Sequence, residues 1–181
     1  MTHERIASEV SAAAAKVELL ILDVDGVFTD GRIFYGADGR EWKAFHTSDG
    51  AGIRMLQRGG VRVAIISGRH SEAVATRARE LGIEDCFQNA YVKTEAYDKL
   101  KARHGLSDDA VAYMGDDLMD LPLLRRVGLP IAVPNAADEV KQCARYITTA
   151  TGGRGAVREA AELILKSRGA WETVTRRYFE D

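Results

Sequence analysis

Cysteine is nearly missing from this chain: Cys86 and Cys143 are the only two in 181 residues, and they stand in unrelated contexts. That excludes a disulfide framework and a zinc knuckle. The four histidines show no metal-ligand spacing, so no imidazole metal site is indicated. Neither sign of charge dominates. With 25 basic and 27 acidic residues there is no polybasic surface, and the expected partners include neither nucleic acid nor membrane. No apolar run approaches the roughly 20 residues that span a bilayer, and the Ala-rich start lacks a signal peptide's apolar segment. Internal repeats and linkers are lacking too, so one domain with a sizeable core is expected over residues 1–181. Together these absences point to a reducing, cytoplasmic location.

What is present begins with Val17–Leu22, an apolar run with one charge, Glu18, near its start. It reads as a strand buried on both faces. Asp23 and Asp25 follow it directly, and Gly26 forces a turn. In an open α/β sheet, ligands bind in the crevice beyond the carboxyl ends of the strands. Residues i and i+2 share a side of an extended chain, so Asp23 and Asp25 are expected to address one small reactant together. Two uncompensated carboxylates so close favour a bound cation or a retained proton. A plainer reading makes them helix caps or turn formers. A calcium loop is excluded by position: begun at Asp23, it puts Val27 and Phe28 where a ligand and a glycine are required.

Glu4–Lys16 reads as a helix before that strand. Beyond Asp30, two β-like runs, Arg32–Tyr35 and Glu41–Phe45, flank Gly36–Gly39 and predict a hairpin at about residues 31–46. Ser48 and Asp49 are placed to cap a helix running to Arg58. Val61–Ile66 is a second core strand ending on Ser67-Gly68-Arg69, and Ser71 is placed to cap a helix reaching Leu81. Cys86–Asn89 is a short third strand, followed by Lys93 and a helix to His104. Ala110–Met114 is a fourth strand and ends on Gly115-Asp116-Asp117. Leu118–Val127 reads as helical, with Pro122 in its first turn. Leu129–Val133 and Arg145–Ile147 are two last strands around a helix begun near Asn135. An amphipathic helix follows Thr151–Gly155 and runs to Lys166, and Trp171–Asp181 shows no pattern. This alternation predicts an α/β fold, a Rossmann-like and mainly parallel sheet with helices on both faces. The hairpin is too small to fold alone. Its Ile33, Phe34, Tyr35, Trp42 and Phe45 need cover, from their own domain or from other copies.

Four segments end a strand with a polar group: Asp23/Asp25, Ser67, Lys93 and Asp116/Asp117. In a parallel sheet those ends share one edge. Several acids with one hydroxyl and one lysine suit a phosphate held beside a divalent cation. The carboxylates hold the metal, while hydroxyl and ammonium neutralise phosphoryl oxygens. Singly, each group has a duller reading. Ser67 is a turn residue, Lys93 a surface lysine with Lys99 and Lys101 as competitors, and Asp116-Asp117 a helix cap. Those readings leave the convergence unexplained.

Asp23-Val24-Asp25-Gly26 with Thr29, then Ser67-Gly68-Arg69, Lys93, and Gly115-Asp116-Asp117 through Asp120 resemble the four-motif signature of the haloacid dehalogenase superfamily. The match runs from Val17 to Pro134. Asp25–Gly31, the hairpin, Phe45–Gly50, Ser67–Ser71 and Gly152–Val157 further resemble the 3-deoxy-D-manno-octulosonate 8-phosphate phosphatase family over nearly the whole chain. The resemblance implies a magnesium-dependent phosphatase of lipopolysaccharide precursor synthesis. It implies Asp23 as a nucleophile that forms an aspartyl-phosphate. Asp25 would protonate the leaving alkoxide and later take a proton from water, and burial beside other acids is expected to keep it protonated for the first role. By the same resemblance Mg2+ is ligated by Asp23, Asp116 and the backbone carbonyl of Asp25, with Asp117 acting through water and Asp120 supporting the loop. Ser67 and Lys93 hold the transferring group.

Neither Asp30–Val61 nor Ser67–Lys93 has room for a cap domain. The resemblance implies a homotetramer instead, its hairpins packed into a central barrel and its neighbours completing each site. Arg69 and Arg77 are candidates for the substrate carboxylate, Arg77 equally a solvent-facing helix residue. Thr29, Asp30 and a neighbouring copy's Thr47 or Asp49 are implied near sugar hydroxyls. Gly152–Gly155 reads equally as a lid or as the loop before a helix. The tail from about residue 169 reads as an arm into a neighbour's site or as disorder. Two further readings stay open. One is a nine-carbon ulosonate 9-phosphate phosphatase, disfavoured by Arg69 where such relatives tend to carry an acid. The other is a catalytically silent tetramerisation module, disfavoured by the intact Asp23, Asp25, Ser67, Lys93 and Asp116.

Overall fold

The computed structural model describes residues 3–180, and side chains from residue 8 onward. Helix α1 (His3–Ala14) leads into β1 (Leu19–Leu22), then the hairpin strands β2 (Phe34–Tyr35) and β3 (Glu41–Trp42). Next come α2 (Thr47–Arg58), β4 (Arg62–Ile66), α3 (Glu72–Leu81), β5 (Asp85–Phe87) and α4 (Lys93–His104). The chain continues through β6 (Val111–Gly115), α5 (Leu121–Leu124), β7 (Leu129–Ala132), α6 (Asp138–Cys143) and β8 (Tyr146–Ile147), and closes with α7 (Ala156–Ser167) and α8 (Trp171–Thr175).

Six strands make one parallel sheet in the order β5-β4-β1-β6-β7-β8. β1 is the centre: every residue of Leu19–Leu22 is buried, and Leu22 is paired with Ile65 on one side and Met114 on the other. From β1 the chain steps outward to β4 and β5, then returns to β6 on the far side and continues to β7 and β8. The order reverses between β1 and β6. A ligand crevice therefore opens beyond their carboxyl ends. Helices α1, α2 and α7 pack together, as do α4, α5 and α6, which covers both faces and seals one continuous apolar core. Among the described residues no cap domain covers the crevice: only the hairpin and α2 lie between β1 and β4, and only α3 between β4 and β5.

Local differences from the sequence reading have physical causes. Leu118–Val127 splits into a tight turn at Leu118–Asp120 and the short α5, because Pro122 has no N–H to donate and is accepted only at a helix start. Asp49 does not cap its own helix. Its carboxylate is fully buried and accepts the backbone N–H groups of Gly155 (3.2 Å) and Arg158 (2.9 Å), so it caps α7 from α2. Ser71 sits just before α3, in the capping position, without a capping bond from its side chain. The tail forms α8, which buries Val174 and Thr175, and Arg58 donates to the Tyr178 hydroxyl at 2.9 Å. Phe45 packs on Phe28 with ring centroids 5.0 Å apart, whereas Phe34, Tyr35 and Trp42 are more than half exposed.

Candidate active site

β1 delivers Asp23 to the reversal point, where its N–H donates to the Met114 carbonyl of β6 at 3.0 Å. The chain then winds through one wide turn, Val24–Phe28, closed by Thr29 N–H on the Val24 carbonyl at 2.9 Å. Gly26 holds φ +96°, and a Cβ there would meet Asp116 Oδ2 at 2.0 Å. Only glycine satisfies both the backbone angle and that approach. Gly152 is bound as tightly, since its Cβ would strike the Gly26 carbonyl oxygen at 1.7 Å. Gly153 N–H donates to the Val27 carbonyl at 2.9 Å, and Asn135 bridges Gly152 N–H (2.9 Å) to the Gly26 carbonyl (3.0 Å). The Gly152–Gly155 segment is thus a packed loop ahead of α7, and the lid reading fails.

Lys93, at the start of α4, is almost wholly buried and donates to Asp23 Oδ1 and Asp120 Oδ1, both at 2.6 Å, and to the Tyr113 hydroxyl at 3.1 Å. Tyr113 in turn donates to Asp120 Oδ1 at 2.6 Å. The other oxygen of Asp120 accepts the N–H groups of Asp116 (2.9 Å) and Asp117 (3.1 Å). Asp120 is therefore fully bonded, and what it does is shape the loop that presents Asp116. Asp116 Oδ1 is buried with no hydrogen-bond partner.

Ligand oxygens of Asp23, Asp116 and Asp120 lie within 4.8 Å of one another. One ammonium faces three carboxyls. Burial, and then Asp23, Asp120 and Asp117, push the Asp116 carboxyl up to about 8. Burial also raises Asp23, to about 6, against the pull of Lys93. Burial opposes the charge on Lys93, yet Asp23 and Asp120 outweigh it and raise that group. A pocket with surplus negative charge and one orphaned carboxylate oxygen fits a hard divalent cation.

Residues 87–159 match the haloacid dehalogenase-like hydrolase family. The 3-deoxy-D-manno-octulosonate 8-phosphate phosphatase of Yersinia pestis is 44% identical over 170 residues, which is 94% of this chain and 91% of that protein. The chain belongs to the haloacid dehalogenase-like hydrolases, in the branch of these sugar-acid phosphatases. Solved structures agree. A probable phosphatase of the yrbi family from Pseudomonas syringae superposes with a TM-score of 0.94 at 48% identity, over 96% of this chain and 99% of that one. The Moraxella catarrhalis 3-deoxy-D-manno-octulosonate 8-phosphate phosphatase, solved with magnesium ion, phosphate ion and KDO, gives 0.92 at 41%, over 94% and 98%.

The remaining residues of this hydrolase site fall into two groups. Ser67, buried at the end of β4, accepts Arg69 N–H at 3.2 Å and keeps its own O–H to give. Thr29 is buried in the wide turn, its hydroxyl donating to the Val24 carbonyl at 3.3 Å. Asp30 accepts Arg32 N–H at 3.2 Å. Asp117 is exposed and accepts Leu118 N–H at 2.7 Å, outside the tight acid group. Asp25 departs from expectation. Gly26 and the wide turn end the extended geometry, so its carboxylate leaves the acid cluster and pairs instead with Lys43 and, at 3.6 Å, with Arg69. Arg77 is directed elsewhere, over the Phe45 ring at 5.9 Å and onto Glu80 at 3.2 Å, and Thr47 is exposed. The sequence reading missed Tyr113, Asn135, Glu41 and Lys43. Tyr113, a polar side chain in an otherwise apolar buried strand, carried the one available signal.

Proposed function

We propose that this protein is a magnesium-dependent phosphatase that hydrolyses 3-deoxy-D-manno-octulosonate 8-phosphate to the free sugar acid and phosphate. The observation that carries the reading is the buried acid group at the β1/β6 reversal, with its single lysine and its unbonded Asp116 oxygen. The relative solved with magnesium, phosphate and KDO supports the substrate.

In this reading Asp23 is the nucleophile. Lys93 holds its Oδ1, favours its ionised form and leaves the other oxygen to attack phosphorus. Asp25 gives a proton to the departing alkoxide and takes one from the water that hydrolyses the aspartyl-phosphate. Ser67 and Lys93 bind the transferring phosphoryl oxygens. Asp23 and Asp116 would hold Mg2+ with the Asp25 carbonyl, and Asp117 would act through water. Asp120 is excluded as a direct ligand by its own bonds. When bound, the ion supplies positive charge to the phosphoryl oxygens and cancels the repulsion between the carboxylates. Arg69, half exposed at the mouth, is the candidate for the sugar carboxylate, with Asp30 as a candidate for a sugar hydroxyl; Thr29 and Arg77 would reach substrate only if their present contacts were given up.

We read the whole chain as one haloacid dehalogenase-like domain, assembled as a homotetramer through its hairpins and working in the cytoplasm without nucleic-acid or membrane partners. Among the described residues no helix is long and apolar enough to cross a membrane. The test is phosphate release from a panel of sugar phosphates, with and without Mg2+. Preference for the eight-carbon substrate supports the proposal. Preference for a nine-carbon ulosonate 9-phosphate would reassign the substrate, and no release from any would leave an assembly module.

A further inference from the structure

The hairpin does more than present apolar side chains. Glu41 and Lys43 point back from it over the mouth of the site. The Lys43 side chain is only 1% exposed, a rare state for lysine, and its ammonium bonds Asp25 Oδ1. The same ammonium lies 3.3 Å from Glu41 Oε1. Glu41 Oε2 accepts from Arg69 Nη2 at 2.7 Å, and Arg69 Nε returns to Asp25 Oδ2 at 3.6 Å. Two acids and two bases thus close a ring, with Asp25 as the member nearest the chemistry. Asp25 stands in a turn with little regular structure of its own, so something outside that turn must fix its carboxyl.

We propose that Lys43 is the positioning residue for Asp25. Resting on the phosphatase reading above, its ammonium fixes Oδ1 and, with Arg69 beside Oδ2, holds the Asp25 carboxyl in one orientation at the mouth of the site. As an Asp23 oxygen bonds to phosphorus, the ester P–O bond breaks and its electron pair stays on the leaving oxygen, which takes a proton from the Asp25 carboxyl. Water then attacks phosphorus, releases Asp23 and returns a proton to that carboxyl. Among the described residues no cap domain is present, and a three-residue reach of hairpin, Glu41 to Lys43, organises the mouth.

The test turns on the leaving group. An alkyl alkoxide needs the proton, whereas 4-nitrophenolate departs without one. Lys43→Met, similar in length and uncharged, should lower kcat on the sugar phosphate by about 10²-fold, the scale of general-acid catalysis, and on 4-nitrophenyl phosphate by less than about threefold. KM for both should change little, and Lys43→Arg should recover much of the lost sugar phosphate rate. A crystal structure of Lys43→Met should show the Asp25 carboxyl turned from its present orientation. Equal losses on both substrates, or an unchanged ratio in both Lys43→Met and Lys43→Gln, would overturn the proposal. If the unaltered protein released phosphate from neither substrate, the failure would lie in the phosphatase reading itself.

Discussion

A buried carboxylate oxygen without a donor is uncommon in a folded protein, and Asp116 Oδ1 is one. Burial, and then the neighbouring Asp23, Asp120 and Asp117, show in the protonation of the group. Acids in an unfolded chain titrate near ~4, while Asp116 is raised to about 8 and Asp23 to about 6. Between those values the native state binds more protons than the unfolded one, so stability falls as pH rises. The magnesium-free protein should therefore lose stability from about pH 4 through about pH 8, and Mg2+ should raise the melting temperature more at about pH 8 than at about pH 5. A thermal scan across pH, with and without the ion, reads both effects. An ion that stabilised equally at both ends would contradict them. At this scale the sequence was only partly legible. It marked Asp116, Asp117 and Asp120 as acids beyond one strand end, but which of them turns inward depends on the tight turn at Leu118–Asp120 and on Tyr113 and Lys93, all distant partners or local backbone geometry.

Among the elements, the strands were read most fully because a buried parallel strand is a continuous apolar run that stops where polar residues begin. The partners of Asp25, Lys43 and Arg69, were not legible because the i, i+2 rule holds only while the chain stays extended, and β1 ends at Leu22. Asp49 was assigned to the wrong helix for a related reason: a capping residue beside a helix start looks local in sequence, yet its acceptor role reaches α7 across more than a hundred residues. That contact also ties Gly155, at the end of the Gly152–Gly155 loop, to α2. Asp49→Ala should destabilise the fold by about 1–2 kcal/mol, the range for a lost cap with buried donors left unpaired. Urea unfolding checks it, and an unshifted midpoint would mean that α7 needs no such cap.

For the whole molecule, one open crevice and one half-exposed aromatic hairpin are complementary facts. Without a cap the site lies open to water, and Phe34, Tyr35 and Trp42 present an apolar face to solvent. Burying that face against other copies removes both problems. Sedimentation should give the mass of four chains, and Trp42→Glu should shift it toward smaller species; a lone chain at micromolar concentration would refute the assembly. The central claim stands above these: four strand ends converge on a divalent cation and aim Asp23 at phosphorus. Its most direct test is magnesium-dependent phosphate release from 3-deoxy-D-manno-octulosonate 8-phosphate by the unaltered protein and by Asp23→Asn. Loss of the nucleophile should cut release by about 10³-fold or more. Release undiminished in Asp23→Asn would contradict the account.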